Sequence, residues 1–112
     1  MIFGDFEEQY REYSSAKFAI LPVPYDATST WVKGADKGPE AFLDASFTLE
    51  NYDVETGTEA YKHGIATLPF VTEDRTPELL CNKVQQEVTT LLNDGKFPVT
   101  IGGNHTVSIG AI

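Results

Sequence analysis

The 112-residue chain is long enough for one small domain and too short for two. Its 41% hydrophobic and 22% charged residues are those of a packed globular protein and argue against disorder. Seventeen Asp and Glu against eight Lys and Arg give a net charge of −9, so neither nucleic acid nor an anionic membrane surface is an expected partner.

No apolar run reaches the roughly 18 residues that a membrane span needs. The start, Met1-Ile2-Phe3-Gly4-Asp5-Phe6-Glu7-Glu8, lacks the basic-then-apolar order of a secretory signal. Cys81 is the single cysteine, which excludes an internal disulfide. Its place beside Leu79, Leu80 and Val84 predicts a packed, inert thiol. Together these features lead us to expect a protein of the reducing cytoplasm.

In residues 1–16, Phe3, Phe6, Tyr10 and Tyr13 recur at spacings of three and four. They predict one face of a short helix or an arm, packed on the body or on another subunit. Lys17–Val23 is a compact apolar run and predicts a buried strand. Residues 24–38 have no period and are rich in glycine and small hydroxyl side chains; a loop of that length in a compact domain is usually functional. Pro39 opens a predicted helix to Phe47, with proline in its favoured first turn.

The acidic stretch Leu49–Tyr61 predicts a strand or extended arm turning at Thr56-Gly57. Gly64–Val71, broken by Pro69, predicts an edge strand or a loop wall. Thr76-Pro77-Glu78 is a strong helix start, with a capping hydroxyl, a proline and an acid at the positive end of the dipole. Leu80, Val84, Val88, Leu91 and Leu92 continue it with helical spacing, and Asn93-Asp94-Gly95 ends it. Phe97–Ile101 is the next predicted strand, and Thr106 begins another helix. A helix followed by a buried strand implies a parallel sheet with right-handed crossovers, hence an α/β fold.

The candidate site is Gly102-Gly103-Asn104-His105-Thr106, at the carboxyl end of a predicted strand, where open α/β sheets place ligands. Two glycines permit a sharp turn and close backbone approach. His105 then projects over the strand ends as a metal ligand or general base, or packs at the helix start. The run lacks the lysine of a phosphate loop, and Ser108 is misplaced for a nucleophile elbow. A catalytic metal site generally needs about three protein ligands, which one histidine does not supply. His63, the other histidine, reads as a surface or packing residue.

Several segments resemble one family. Leu21-Pro22-Val23-Pro24-Tyr25-Asp26, then Ser29-Thr30, then Lys37-Gly38-Pro39-Glu40-Ala41 with Ala45-Ser46, are similar to the N-terminal third of the ureohydrolases, the arginase and agmatinase family. His63-Gly64-Ile65-Ala66-Thr67-Leu68-Pro69 and Gly95-Lys96-Phe97-Pro98-Val99 look most like bacterial and archaeal agmatinases. Gly102-Gly103-Asn104-His105-Thr106 matches the family's Gly-Gly-Asp/Glu-His-Ser/Thr element. The resemblance runs from about Lys17 to Ile112.

It implies a partial three-layer α/β/α arginase-like fold, with residues 1–16 as an arm and 17–112 as the incomplete domain. It implies a pair of Mn2+ ions, with His105 as one ligand, and hydrolysis of a small guanidino substrate such as agmatine to putrescine and urea. Gly102, Gly103 and Asn104 then form the supporting turn, and Asp26, Thr30 and Trp31 are expected to line the substrate entrance, because the loop bearing them follows a strand end. A homo-oligomer, trimer or hexamer, is also implied.

Two departures stand out. Asn104 replaces the usual acid, and Phe42-Leu43-Asp44 lies where many relatives carry an arginine. The family's later Asp-Ala-His-x-Asp and Ser-x-Asp-x-Asp elements do not occur in these residues. The expectation is therefore an N-terminal fragment, inactive by itself. The alternatives are a short non-catalytic module paired with a homologous subunit, or a ureohydrolase for arginine, guanidinobutyrate or formiminoglutamate.

Overall fold

Apolar side chains that follow one another without alternation suit a strand covered on both faces. In a computed structural model, which describes residues 1–28 and 30–112, this is the role of β1 (Phe18–Val23). It is the middle strand of a parallel sheet ordered β2-β1-β3, with β2 at Ile65–Thr67 and β3 at Phe97–Gly102. Alternate residues of a strand point to opposite faces. Leu21 and Val23 join one core cluster, and Ile20 and Pro22 are buried as well, so both faces of β1 are covered.

The helices are α1 (Gly38–Ser46), α2 (Pro77–Asn93) and α3 (Thr106–Ala111). Pro39 lies in the first turn of α1, which begins and ends one residue before the predicted bounds. Thr76 caps α2 as expected, its Oγ1 accepting the Leu79 N–H at 3.1 Å. Past α2, Gly95 takes a φ of +75°, the left-handed conformation that ends the turn before β3. Leu80, Val84 and Val88 of α2 pack with Leu21, Val23, Tyr25, Val71 and Val107. The close fit of α3 on α2 depends on Gly110. A Cβ there would lie 2.5 Å from the Cys81 carbonyl oxygen and 2.8 Å from Val84 Cβ.

The segment predicted as an edge strand or a wall is both. β2 is three residues long, and the chain then runs on beside β1 through Leu68 N–H to Ile20 O and Val71 N–H to Pro22 O, each 2.9 Å. Two expectations are corrected. Residues 49–61 form no extended strand; a single antiparallel bridge, Asp53 to Thr58, closes a turn at Gly57, and a 3-10 turn follows at Ala60–His63. Asp53 explains the difference, because its carboxylate accepts the Glu55 N–H at 3.0 Å and the Thr56 hydroxyl at 2.9 Å. Such local side-chain bonds compete with sheet formation.

The aromatic spacing in residues 1–16 likewise makes no continuous helical face. Only Glu8–Tyr10 form a 3-10 turn, and the arm is fixed by distant partners. Phe6 stacks on Tyr61 with 5.1 Å between centroids, and Tyr10 meets the same ring edge-on. Among the described residues, no helix is long and apolar enough to cross a membrane.

Candidate metal centre and substrate cleft

The site is built where two strands end side by side. β1 and β3 pair in register to their last residues, Val23 opposite Gly102. The chain leaving β3 must then pass directly over the end of β1. Gly103 makes this possible: its φ is +53°, and a Cβ would lie 2.6 Å from the Val23 carbonyl oxygen and 2.7 Å from that of Tyr25. The next residue completes the contact, the Asn104 N–H donating to the Tyr25 carbonyl at 2.9 Å.

Asn104 also joins two segments 76 residues apart. Its Oδ1 accepts the backbone N–H of Thr106 at 3.1 Å. A backbone N–H can only donate, so this contact fixes the amide orientation and turns Nδ2 toward Thr28, whose Oγ1 it reaches at 2.7 Å. Thr28 Oγ1 lies 2.8 Å from Thr106 Oγ1, which closes a ring of three side chains. Counting protons shows what an amide does here that an acid would not. With Asn104 as donor, the Thr28–Thr106 contact uses one of the two hydroxyl protons and one is left over. A carboxylate would draw a proton from Thr28, and both hydroxyl protons would be spent within the ring.

His105 follows this ring and is exposed at the start of α3. Among the described residues no hydrogen bond engages its imidazole; its carbonyl accepts from Ser108. The ring lies between two clefts. One, of about 260 Å3, runs along Thr100, Gly102, Gly103, Val107 and Ser108. The other, of about 340 Å3, is bounded by Thr28, Thr30, Trp31, Val32, Asn104, His105 and Thr106. A larger groove by Leu68–Glu73 and α2 lies apart from His105.

The expected entrance residues divide. Thr30 and Trp31 line the second cleft with His105. Asp26 lines neither; its Oδ2 accepts the Gly34 N–H at 2.6 Å, and its carbonyl accepts Lys33 Nζ at 2.9 Å. A carboxylate so placed closes the loop that carries Thr30 and Trp31. Ser29, in the Ser29-Thr30 element, lies outside the described residues. Thr28 was not singled out in the sequence, and Thr106 only as the last residue of the candidate run. Each is one hydroxyl among many, and only the pairing of β1 with β3 makes them neighbours.

His63 is exposed at the end of its 3-10 turn and away from the clefts at His105. Cys81 is half-buried, with Sγ 3.7 Å from the Thr106 carbonyl oxygen, in keeping with a packing role. No three His, Cys, Asp or Glu side chains among the described residues are grouped closely enough to hold an ion. The donor set of these residues therefore fits one imidazole ligand and not a complete metal site.

Fold, turn and glycine pattern agree with a known family, whose sequence profile matches residues 16–112. The chain belongs to the arginase family. An N(1)-aminopropylagmatine ureohydrolase of Synechocystis is 37% identical over 111 residues, covering 94% of this chain and 36% of that protein. The agmatine ureohydrolase structure of Thermoplasma volcanium superposes with a TM-score of 0.84 at 30% identity, covering 89% of this chain and 34% of the other. A Trypanosoma cruzi formiminoglutamase solved with Mn2+ superposes with a TM-score of 0.78 at 28% identity, covering 89% and 35%. The arginase-family chain thus spans about a third of the length of these relatives. Its parallel three-stranded sheet with helices is the corresponding part of the arginase fold.

Proposed function

We propose that this chain contributes to the active centre of a manganese-dependent amidinohydrolase that releases urea from a guanidino substrate of the agmatine type. The observation that carries the reading is His105: a solvent-facing imidazole that no hydrogen bond engages among the described residues, presented on a glycine turn at the carboxyl ends of two parallel strands. Support comes from the relatives, named for ureohydrolase activity on agmatine or its aminopropyl derivative, and from the Mn2+ of the formiminoglutamase structure.

In this reading His105 is one metal ligand. A bound divalent ion supplies Lewis acidity and an activated water at neutral pH. Gly102 and Gly103 let the turn pass over β1, and Asn104 holds Thr28 and the start of α3 together, which fixes where His105 stands. Thr30 and Trp31 form the outer wall against which the rest of the substrate lies. The 112 residues alone, with one imidazole donor, release no urea from agmatine.

The test uses the two histidines as each other's control. Mn2+ added to the labelled chain broadens the His105 ring resonances at lower concentration than those of His63, and His105→Ala leaves no preferred site. Equal broadening of both rings, or urea release from agmatine that His105→Ala abolishes in this chain, would each defeat part of the reading: the first the ligand role, the second the incompleteness.

A further inference from the structure

Trp31 is 93% exposed, the most exposed aromatic side chain in the hydrophobic surface, and it stands on the wall of the cleft that contains His105. An indole left in water forgoes the burial that stabilises a large apolar side chain, so its position is not explained by packing within the chain. Nor is the exposure that of an untethered loop. On one side, Thr28 is bonded to Thr106 and Asn104. On the other, Lys33 and Gly34 are bonded to Asp26. Trp31 lies between these two anchors and is held out over the cleft.

We infer that Trp31 is a specificity-determining residue, whose indole face receives the distal ammonium of a guanidino substrate with an amine tail. This rests on the amidinohydrolase reading and adds to it the residue that recognises the amine tail. If the guanidinium occupies the His105 side of the cleft, a methylene chain leaving it passes the outer wall, and Trp31 is on that wall. Tryptophan offers the strongest aromatic face to a cation, and the flat ring also covers methylene groups. The net charge of −9 favours arrival of a polycation. The nearby cation, Lys33, has its ammonium turned to the Asp26 carbonyl. An amine tail gains from the indole; a carboxylate tail meets the negative face of the ring and does not.

Three probes separate the contributions: agmatine, 1-butylguanidine, which lacks the ammonium, and 4-guanidinobutyrate, which replaces it with a carboxylate. Binding to the intact chain is followed by the amide resonances of Asn104, His105 and Thr106, and by the fluorescence of Trp31, the single tryptophan. Agmatine binds ~2–5-fold more tightly than 1-butylguanidine, and 4-guanidinobutyrate binds no better than 1-butylguanidine. Trp31→Leu, which keeps apolar bulk, brings agmatine and 1-butylguanidine to the same affinity, and Trp31→Phe retains part of the difference. An agmatine preference that survives Trp31→Leu, or tighter binding of 4-guanidinobutyrate, overturns the inference and leaves the amidinohydrolase reading standing. If no guanidino probe moves the Asn104, His105 and Thr106 resonances, the inference falls, while the amidinohydrolase reading still stands or falls on the Mn2+ titration of His105.

Discussion

The turn from β3 into α3 and the N-terminal arm are both irregular, and they are fixed by opposite means. The turn is held first by backbone, Gly103 sitting against the Val23 and Tyr25 carbonyls and the Asn104 N–H bonding to Tyr25, and the Asn104 side chain adds to this. The arm is held by side chains scattered along the sequence. Ser46 Oγ accepts the Gly4 N–H at 2.8 Å, Thr67 Oγ1 accepts that of Phe3 at 2.9 Å, and the Tyr13 hydroxyl donates to Asp94 at 2.5 Å. That last bond holds the Tyr13 hydroxyl above its ordinary pKa of 10.0, so the contact is kept below that value and lost as pH rises past the raised one. The backbone-held turn can place the His105 side chain with little freedom. The arm can be loosened one contact at a time.

Substitution of Gly103 is the most severe way to test this contrast. Gly103→Ala puts a methyl group within 2.7 Å of two carbonyl oxygens at a positive φ, so the end of β1 or the turn must shift. We expect a loss of about 3 kcal/mol or more, read from the urea midpoint. A loss under about 1 kcal/mol, the ordinary effect of a point change, would mean that the turn is not held by this contact.

Ser46→Ala tests the other side. Ser46 is buried; its Oγ also donates to the Leu43 carbonyl at 2.5 Å, and removing it leaves the Gly4 N–H without its acceptor. The expected cost is about 1–2 kcal/mol, with faster amide exchange in residues 1–10 and unchanged exchange in β3. Faster exchange at both would erase the distinction between the regions.

Tyr25→Phe sharpens the comparison by separating backbone from side chain at one residue. The Tyr25 backbone receives Asn104, whereas its hydroxyl is buried without a hydrogen-bond partner among the described residues. Removing the hydroxyl should leave the turn intact and raise stability by up to about 1 kcal/mol. A marked loss would show that the hydroxyl has a role that its surroundings conceal.

The smallest effect is expected at the surface. Arg75 holds the Glu73 carboxyl well below its ordinary 4.5, at about 2, chiefly through their direct hydrogen bonds. A lowered carboxylate pKa contributes stability that is complete above the unfolded value and lost as pH falls through the folded one. The contact should therefore persist at pH 4.5 and disappear near pH 2, as followed by the Glu73 carboxyl carbon shift. Because Arg75 is largely exposed and its charge well solvated, the change in overall stability should be close to the limit of detection.

Much of this molecule could be read along the chain. β1, α2 and β3 are regular because their apolar spacing, capping residues and terminal glycines all agree, and each of those signals is local. Gly102-Gly103-Asn104-His105-Thr106 was legible for the same reason, since a strand, a forced turn and a helix start are adjacent in sequence. The paths of residues 1–16 and 49–61 were not. Their aromatic and acidic spacings fit more than one local form, and the choice was made by Tyr61, Ser46, Thr67 and the Asp53 carboxylate.

The sequence by itself thus determined the α/β class, the strand that feeds the site and the histidine offered there. Tertiary structure alone decided that Thr28, Asn104 and Thr106 form one hydrogen-bonded ring, that Asp26 closes a loop, and that Trp31 faces the same cleft as His105. The physical reason is the parallel pairing of β1 with β3. It brings together residues more than 70 positions apart, and no periodicity within either segment records the register in which they meet.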